Sequence, residues 1–283
     1  MAPKADVAVS HFVLTRFNIA SEGREEAIRN SPGWLERRFE LFETYCLPSM
    51  AAQTINTFRW LIYFDEGTPQ AFRERIARAQ QVLPFEALFV GPFDMTMTKG
   101  DVAARTPAAC RRVVTTRLDN DDAVSIDFLE RIRTHASESV DGTVLNFPDG
   151  VALRKGFPHT ARDKSNPFAS LVDSRERGNV IWAVNHRLLT QRFTVRQIEG
   201  ERVWMQVVHG ENVSNRLKGR LIPAAPVRAN FVLGPAVRIR DASPARKIFD
   251  AMGLFPIRLL REAAISILKS SRAALSRKIG LSL

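Results

Sequence analysis

Three aspartates and an asparagine stand together in the middle of the chain, as Asp119-Asn120-Asp121-Asp122. Three carboxylates within four residues repel one another unless a cation lies among them. Magnesium and manganese ions bind carboxylate oxygens and commonly keep water and substrate phosphates as their other ligands. The cluster therefore predicts a Mn²⁺ or Mg²⁺ site with Asp119 and Asp121 as ligands, although a solvated acidic loop or a helix N-cap would have the same composition.

The elements around this cluster predict how it is held. Apolar, β-branched runs typical of buried strands alternate with helical patterns through the first half of the chain, and parallel strands joined by crossover helices give this alternation. In such sheets ligands bind beyond the carboxyl ends of the strands. Asp65 and the acidic cluster both follow strands directly. The predicted strands are 7–14, 58–64, 87–90 and 113–118, and the predicted helices 34–50, 68–82 and 125–135.

The second half of the chain has a different pattern. Short strand candidates separated by turns predict a mixed or antiparallel half, at 143–147, 151–156, 179–184, 193–198 and 202–208. The chain then loses its periodicity until Pro244, after which a helical pattern begins. We predict a folded unit over residues 1–215, an irregular connector over 216–243 and a helical tail over 244–283.

Several motifs follow one another in a characteristic order. They are TRFN (Thr15 to Asn18), Gln53-Thr54, FRWLIYFDEGT (Phe58 to Thr68), TRLDNDD (Thr116 to Asp122), NPF (Asn166 to Phe168) and HGENVSN (His209 to Asn215). With them, residues 7–215 resemble glycosyltransferases of the GT-A fold, and most closely the bacterial putative rhamnosyltransferase family. The resemblance implies a GT-A-like α/β fold, with a nucleotide-binding sheet and flanking helices in a donor half (1–124) and a mixed acceptor half (125–215).

The resemblance also implies roles for individual residues. Asp119 and Asp121 match the DxD element that holds a divalent metal on the donor diphosphate, and His209 matches a late histidine that completes this site. Asp65 matches an acidic residue that contacts the base or ribose. Thr15 and Arg16 end the first strand, where the family has nucleotide contacts. The chain departs from the commonest pattern at Tyr63-Phe64-Asp65-Glu66, where two adjacent acids usually precede Gly-Ser.

Sugar transfer from a nucleotide donor needs cations and a base. Arg16 and Arg117 are the cations best situated to stabilise the departing diphosphate. Strand alternation directs Arg117 and Asp119 to the same face, so a plain salt bridge between them is the alternative. An inverting enzyme also needs a carboxylate to take the acceptor proton. The candidates are Asp149, Asp163, Asp173 and Glu176, of which we select Asp173 because it follows the NPF motif.

The chain is strongly basic, with 41 Lys and Arg against 30 Asp and Glu and a net charge of +11. Residues 244–283 hold eight of the cations and two of the anions. Ile257, Leu260 and Ala264 share an apolar side flanked by these cations, which is the pattern of a basic amphipathic helix on an anionic membrane surface. A terminal helix packed on the domain, with a solvated basic face, is the alternative.

The composition also limits the class of protein. Two cysteines make no disulfide framework, and no apolar run has the length of a transmembrane helix or a signal peptide. We expect a cytoplasmic enzyme, peripheral on the inner face of the membrane. It would move a sugar, rhamnose by resemblance, from a nucleotide-sugar donor to a glycan or lipid-linked acceptor. The alternatives are a nucleic-acid-binding protein, which the lack of any such motif disfavours, and a sugar-phosphate nucleotidyltransferase.

Overall fold

The computed structural model describes residues 9–20, 24–209 and 217–265. Its central feature is a group of four parallel strands, β1 (Val9–Arg16), β2 (Arg59–Asp65), β3 (Glu86–Val90) and β4 (Arg112–Arg117). β1 lies in the middle, paired with β2 on one side and β4 on the other, and β3 follows β2. Most side chains of β1, β2 and β4 are buried, as expected for parallel strands covered on both faces. The predicted α/β sheet is confirmed.

Helices connect and cover these strands. They are α1 (Arg24–Arg29), α2 (Trp34–Leu41), α3 (Leu47–Ala51), α4 (Gln70–Val82), α5 (Met95–Arg105) and α6 (Phe128–Ser137). A π turn at Phe42–Cys46 joins α2 to α3, so the helix predicted at 34–50 is confirmed. Thr68 does not cap α4 as its position suggests. Its hydroxyl donates to the carbonyl of Asp65 at 2.6 Å and accepts from Asn18 at 3.0 Å, and the helix begins after Pro69.

The sheet continues beyond β4 with a change of direction. β9 (Ser170–Ser174) runs antiparallel to both β4 and β6 (Thr143–Asn146), and β10 (Thr194–Gln197) runs parallel to β6. The full order is β10-β6-β9-β4-β1-β2-β3. The predicted mixed half is confirmed, but 179–184 is not a strand. Its middle forms a 3₁₀ turn (Ile181–Ala183), which buries Trp182 against Tyr63 and Phe93.

A second, four-stranded sheet packs beside the first. It consists of β5 (Ala123–Val124), β7 (Asp149–Arg154), β8 (Phe157–Arg162) and β11 (Trp204–Val207), in the order β5-β11-β7-β8. β7 and β8 form a hairpin whose two-residue turn, Lys155-Gly156, has positive φ at both positions. This is the geometry of a type I′ turn, which suits the twist of a tight hairpin.

The described C-terminal residues form two further helices. α7 (Ala224–Asn230) packs on the second sheet and buries Val227 and Phe231 there. α8 (Pro244–Phe249) passes through a π turn (Asp250–Leu254) into helix that continues over 255–265. The rest of the predicted amphipathic tail, 266–283, lies outside the described residues. Of the helices that the structure describes, none combines the length and apolar character needed to traverse a bilayer.

Candidate functional site

The ends of β1, β2 and β4 meet at one edge of the sheet. Arg16 pairs in register with Tyr63, two residues before Asp65, and Leu14 pairs with Arg117. Asn18 fixes the two loops that leave β1 and β2, because its side chain accepts from the backbone N–H of Asp65 at 3.1 Å and donates to Thr68. The shared edge predicted for Arg16, Asp65 and the acidic cluster is confirmed.

Asn120 anchors the loop that follows β4. It is fully buried, and its Nδ2 donates to the carbonyl of Phe17 at 2.9 Å. The backbone of Leu118 also donates to Leu14 at 3.1 Å, which keeps the first turn of the loop against β1. The loop is therefore fixed by hydrogen bonds to the end of β1 and to the residue that follows it. Its carboxylates differ in exposure, since the Asp119 side chain is 33% exposed whereas Asp122 is almost completely buried.

Asp119 is bound by Arg117, as strand alternation predicts. The guanidinium contacts both carboxylate oxygens, with Nη2 3.2 Å from Oδ1 and 3.1 Å from Oδ2. Nη1 of the same arginine lies 3.1 Å from Nδ1 of His186. Burial, followed by the charge of Arg117, lowers the pKa of His186 to about 4. A neutral imidazole can accept from Arg117, so the three side chains form one connected group.

Asp121 contacts a different arginine, Arg38, and the late histidine, His209. Its Oδ2 accepts from Nη1 of Arg38 at 2.7 Å and lies 3.1 Å from Nε2 of His209. Burial alone would raise the pKa of Asp121, but the charge of Arg38 and the hydrogen bond from His209 outweigh it and lower the pKa to about 2. Asp121 is thus an anion with two donors, and the predicted proximity of Asp121 and His209 is confirmed.

Arg38 is positioned by the aromatic core. Its neighbour Phe39 packs on Phe17, with ring centroids 4.5 Å apart, and Phe17 also contacts Phe64 at 4.8 Å. Because Phe17 follows β1 and Phe64 belongs to β2, this cluster fixes α2 over the strand ends. The helix then carries Arg38 to the acidic cluster.

Asp122 joins the acidic cluster to the second sheet. Its Oδ1 accepts from the backbone N–H of Val207, the last residue of β11, at 3.0 Å. Burial, with the charges of Asp121 and Asp119, raises the pKa of Asp122 well above its ordinary value. Because Asp122 is almost completely buried and binds a backbone N–H of the second sheet, we assign it to fixing the loop.

The predicted metal ligands are only partly brought together. Asp121 and His209 are in contact, whereas Asp119 points to Arg117. Among the residues that the structure describes, no three His, Cys, Asp or Glu side chains form a group able to hold a metal ion. Each carboxylate has an arginine where a cation would lie. As arranged, the set would hold a divalent ion only after Asp119 had left Arg117.

The remaining predicted donor residues lie at the same edge but differ in access. Asp65 is ion-paired with Arg29 of α1, with Nη2 2.7 Å from Oδ2. The guanidinium of Arg16 lies 5.7 Å from the ring centre of Trp182. Thr15, in contrast, is fully buried, and its Oγ1 accepts from the indole of Trp60 at 2.9 Å. Its side chain cannot contact a ligand, so we assign Thr15 to the core.

Asp173 is at the wrong edge of the sheet for the role predicted from the NPF motif. Since β9 runs antiparallel to β4, Asp173 pairs with Val113 near the start of β4. At about 3.3 Å per residue, it lies at least about 13 Å along the sheet from Arg117. It is 1% exposed, and Asn179 donates to its Oδ2 at 2.9 Å. The prediction of Asp173 as the catalytic base is wrong.

A small cleft, open to solvent, lies between the second sheet and the loop 163–167. Its polar lining comes from Thr160, Arg162, Asp163, Gln206 and Lys218, with the ring of Trp204. Gln206 precedes Val207, which binds Asp122. On the other side, Ser165 donates to the carbonyl of His186 at 2.8 Å. The cleft is therefore linked to the acidic cluster from both sides.

Asp163 is held firmly at this cleft. Its backbone N–H donates to Pro148 at 2.8 Å, and its carbonyl accepts from the side chain of Asn166 at 3.1 Å. Oδ1 accepts from the backbone of Ser165 at 2.8 Å. The exposed carboxylate is thus fixed by the backbone N–H of Ser165, and Asn166 of the NPF motif fixes the backbone of Asp163.

Sequence reasoning missed the residues that approach the cluster from elsewhere. Arg38 lies 83 positions before Asp121 and Arg29 lies 36 before Asp65, so spacing gives no signal for either. His186 is 69 positions after Arg117 and has no motif around it. A signal was available for Asn18 and Asn120, which belong to the TRFN and TRLDNDD motifs. Both fix loops and neither holds a ligand in this arrangement.

A model of the family described as "Putative rhamnosyl transferase" matches residues 10–221 of the chain. Among solved structures, S. aureus TarS 1–349 in complex with UDP is 11% identical, with 71% of this chain and 60% of that chain covered and a TM-score of 0.43. An inositol-1-phosphate CTP transferase from T. maritima is 10% identical, with coverages of 70% and 89% and a TM-score of 0.35. The chain spans 60% of the length of the TarS structure. No curated protein matches it.

Proposed function

The chain belongs to the putative rhamnosyl transferase family, a family of glycosyltransferases, and we propose that it moves rhamnose or a related hexose from a nucleotide-diphosphate donor to a glycan or lipid-linked acceptor. The observation that carries the proposal is the edge where β1, β2 and β4 end. Four arginines from different elements lie there: Arg29, Arg38 and Arg117 pair with carboxylates, and Arg16 lies over Trp182. This density of guanidinium groups suits a diphosphate.

Arginine is well matched to that ligand. Its planar fork donates two parallel hydrogen bonds to phosphate oxygens and keeps its charge at any working pH. When the bond between the anomeric carbon and the phosphate oxygen breaks, the electron pair leaves with the nucleoside diphosphate. Fixed cations at the leaving oxygen lower the energy of that charge. Arg117 suits this role because its contacts with Asp119 and His186 hold the guanidinium at the edge of the sheet, where phosphate oxygens can replace the Asp119 carboxylate.

For the acceptor side we propose the cleft beside the second sheet, with Asp163 as the base. Its lining of hydroxyl, amide and charged groups can form hydrogen bonds with the hydroxyl groups of a sugar. The Asp163 carboxylate would take the proton of the acceptor hydroxyl while that oxygen forms its bond to the anomeric carbon. Attack on the face opposite to the leaving diphosphate inverts the configuration.

The donor site is tested by substituting one arginine at each end of β4. Arg117 and Arg112 both belong to β4 and both pair with an aspartate, Asp119 at the candidate site and Asp141 at the opposite edge. We expect Arg117→Gln to weaken binding of the matching nucleotide at least about tenfold, since a charged hydrogen bond contributes about 1.5–3 kcal/mol. The matched control Arg112→Gln should bind as the wild type does. Calorimetry with UDP, dTDP and GDP measures both.

Two results would contradict the donor site. One is equal loss in both arginine variants, and the other is a wild type that binds none of the three nucleotides. Product analysis then distinguishes transfer of a sugar from transfer of a nucleotidyl group. A glycosyltransferase releases the nucleoside diphosphate from a nucleotide sugar, whereas a sugar-phosphate nucleotidyltransferase releases pyrophosphate from a nucleoside triphosphate.

The proposed base is tested with Asp163→Asn. Release of dTDP from dTDP-rhamnose, with water as the acceptor, should slow at least about 100-fold, because general base catalysis contributes about 10²–10⁴. Nucleotide affinity should stay unchanged. Glu199→Gln is the control, since this carboxylate binds Arg162 but does not line the cleft. A wild-type rate for Asp163→Asn would exclude this residue as the base.

A further inference from the structure

The described part of the C-terminal helix, residues 244–265, presents polar side chains to the body of the protein. Asp250 and Arg258 are 3% and 9% exposed and form an ion pair of 2.6 Å. Asp250 also accepts from the backbone of Leu221 at 3.2 Å, and Arg261 donates to the carbonyl of Leu217 at 3.1 Å. The helix is therefore attached through polar contacts, the reverse of an ordinary amphipathic helix on a globular domain.

The same helix exposes its large apolar side chains. Seven of them are between 41% and 79% exposed, namely Ile248, Phe249, Met252, Leu254, Ile257, Leu259 and Leu260. Single exposed apolar residues are ordinary, but seven between residues 248 and 260 of one helix mark a surface that binds something.

Cations gather at the start of this helix. The guanidinium groups of Arg246 and Arg240 lie 3.8 Å and 4.9 Å from the ring centre of Phe157. The hairpin turn beside Phe157 adds Arg154 and Lys155, and Arg240 donates to the carbonyl of Lys155 at 3.0 Å. The backbone carbonyl of Arg238 lies beside the turn at Gly156, its side chain is exposed, and Lys247 follows Arg246.

None of these six cations lies within ion-pair distance of a carboxylate among the described residues, and Lys247 has a longer-range electrostatic interaction with Asp241. The ion pairs that the structure describes in this region use other cations, Lys218 with Glu262, Arg228 with Asp241, Arg258 with Asp250 and Arg261 with Glu262. The charge at the Phe157 turn is therefore uncompensated, and it lies next to the apolar patch that begins at Ile248.

We propose that this C-terminal surface, the six cations around Phe157 together with the seven exposed apolar side chains, binds an anionic lipid bilayer. Cations attract the headgroups and apolar side chains enter the boundary between headgroups and acyl chains. Nucleic acid would use the cations but leave the apolar patch in water, and a protein partner would not need six unpaired cations. The sequence of residues 266–283 adds four Lys and Arg and no Asp or Glu.

Vesicle flotation of the full chain tests this surface. We expect binding to vesicles of phosphatidylglycerol and phosphatidylethanolamine and none to phosphatidylcholine vesicles. Met252→Glu combined with Leu260→Glu should weaken binding at least about tenfold, because burial of one large aliphatic side chain changes an equilibrium constant by about that factor. Val82→Glu with Val140→Glu is the matched control, since these valines are 61% and 72% exposed at other sites.

The cationic part is tested separately. Arg240→Gln and Lys247→Gln should each weaken binding about fivefold, the contribution of one cation near an anionic surface, and circular dichroism checks that each variant is folded. Equal flotation of the two double variants would overturn the proposal. Equal binding to neutral and anionic vesicles would also overturn it. A third contrary result would be a wild type that binds neither kind of vesicle but forms dimers, which the variant Met252→Glu with Leu260→Glu abolishes. None of these readouts depends on sugar transfer.

Discussion

Asp121 and Asp122 are adjacent in the chain but have opposite electrostatic surroundings. Arg38 and His209 lower the pKa of Asp121 to about 2 despite its burial, whereas burial and the neighbouring carboxylates raise the pKa of Asp122. One residue therefore supplies a permanent negative charge to the site and the other an internal hydrogen bond. The division of roles within the acidic cluster follows from which partners each side chain meets.

Dependence on Mn²⁺ or Mg²⁺ is still a prediction, and Asp121 tests it. Because Asp121 and His209 are in contact, any ion bound here would need both, together with Asp119 after its release from Arg117. We expect Mn²⁺ to strengthen nucleotide binding in the wild type and to have no effect in Asp121→Asn, measured by calorimetry. Asp141→Asn, at the opposite edge, is the control. Binding that Mn²⁺ leaves unchanged in the wild type would contradict the prediction and leave neutralisation to the arginines.

At this scale the sequence predicted the contacts that are local or belong to one motif. The Arg117–Asp119 pair follows from strand alternation, and the motifs indicated both Asp121 and His209. Arg38 could not be predicted, since it reaches the site only through the packing of Phe39 on Phe17. Asp173 failed because its strand runs antiparallel, and the direction of a strand cannot be read from its composition.

At the scale of elements, the acceptor-side cleft depends on the close packing of β7 and β11. A Cβ added at Gly150 would lie 2.3 Å from the indole of Trp204. That indole donates to the carbonyl of Phe147 at 2.7 Å and stacks on Phe168, with ring centroids 4.9 Å apart. Gly150 thus permits the ring to form the wall of the cleft.

We expect Gly150→Ala to lower the free energy of unfolding by about 1–3 kcal/mol, the usual cost of overpacking a core. Gly100→Ala should change the free energy of unfolding in the opposite direction, because Gly100 lies within α5 and no atom lies within 4 Å of an added Cβ. There alanine should stabilise by about 0.5–1 kcal/mol. Urea denaturation measures both. A neutral Gly150→Ala would show that the indole can move away.

The four parallel strands and the helices at 34–50, 68–82 and 125–135 were predicted to within a few residues, since buried apolar runs and helical periodicity mark them directly. The helices α1 and α5 were not predicted. The segment 179–184 was missed because its apolar residues, Val180 to Ala183, serve a 3₁₀ turn that fills space beside Tyr63. Residues 217–243, predicted as an irregular connector, contain α7 and pack on the second sheet. Short apolar runs do not distinguish these outcomes.

For the whole molecule, buried histidines couple stability to pH. His11 lies inside the central strand, with Nε2 2.7 Å from Oγ1 of Thr116, and burial, followed by the charge of Arg133, lowers its pKa to about 3. The unfolded chain therefore binds a proton below about pH 6.5 that the folded chain excludes. This contribution to stability is complete above pH 6.5 and is lost as the pH falls toward 3.

We expect the wild type to lose about 2–3 kcal/mol of unfolding free energy between about pH 6.5 and 4.5 on account of His11. His11→Gln, which keeps a polar group near Thr116 but cannot be protonated, should show a correspondingly smaller slope of stability against pH. Urea unfolding at a series of pH values measures the two slopes. Equal slopes would mean that His11 accepts a proton in the folded state.

Strand β8 connects the two surfaces for which we propose ligands. Phe157 at its beginning lies among the six cations, and Arg162 at its end lines the cleft. Five steps along an antiparallel strand span about 17 Å. An enzyme resting on the bilayer by its Phe157 turn would therefore hold its reaction centre roughly that far above the headgroups. Such an enzyme would select membrane-anchored acceptors by length. It would elongate those long enough to reach the cleft and would not act on shorter ones in the same leaflet.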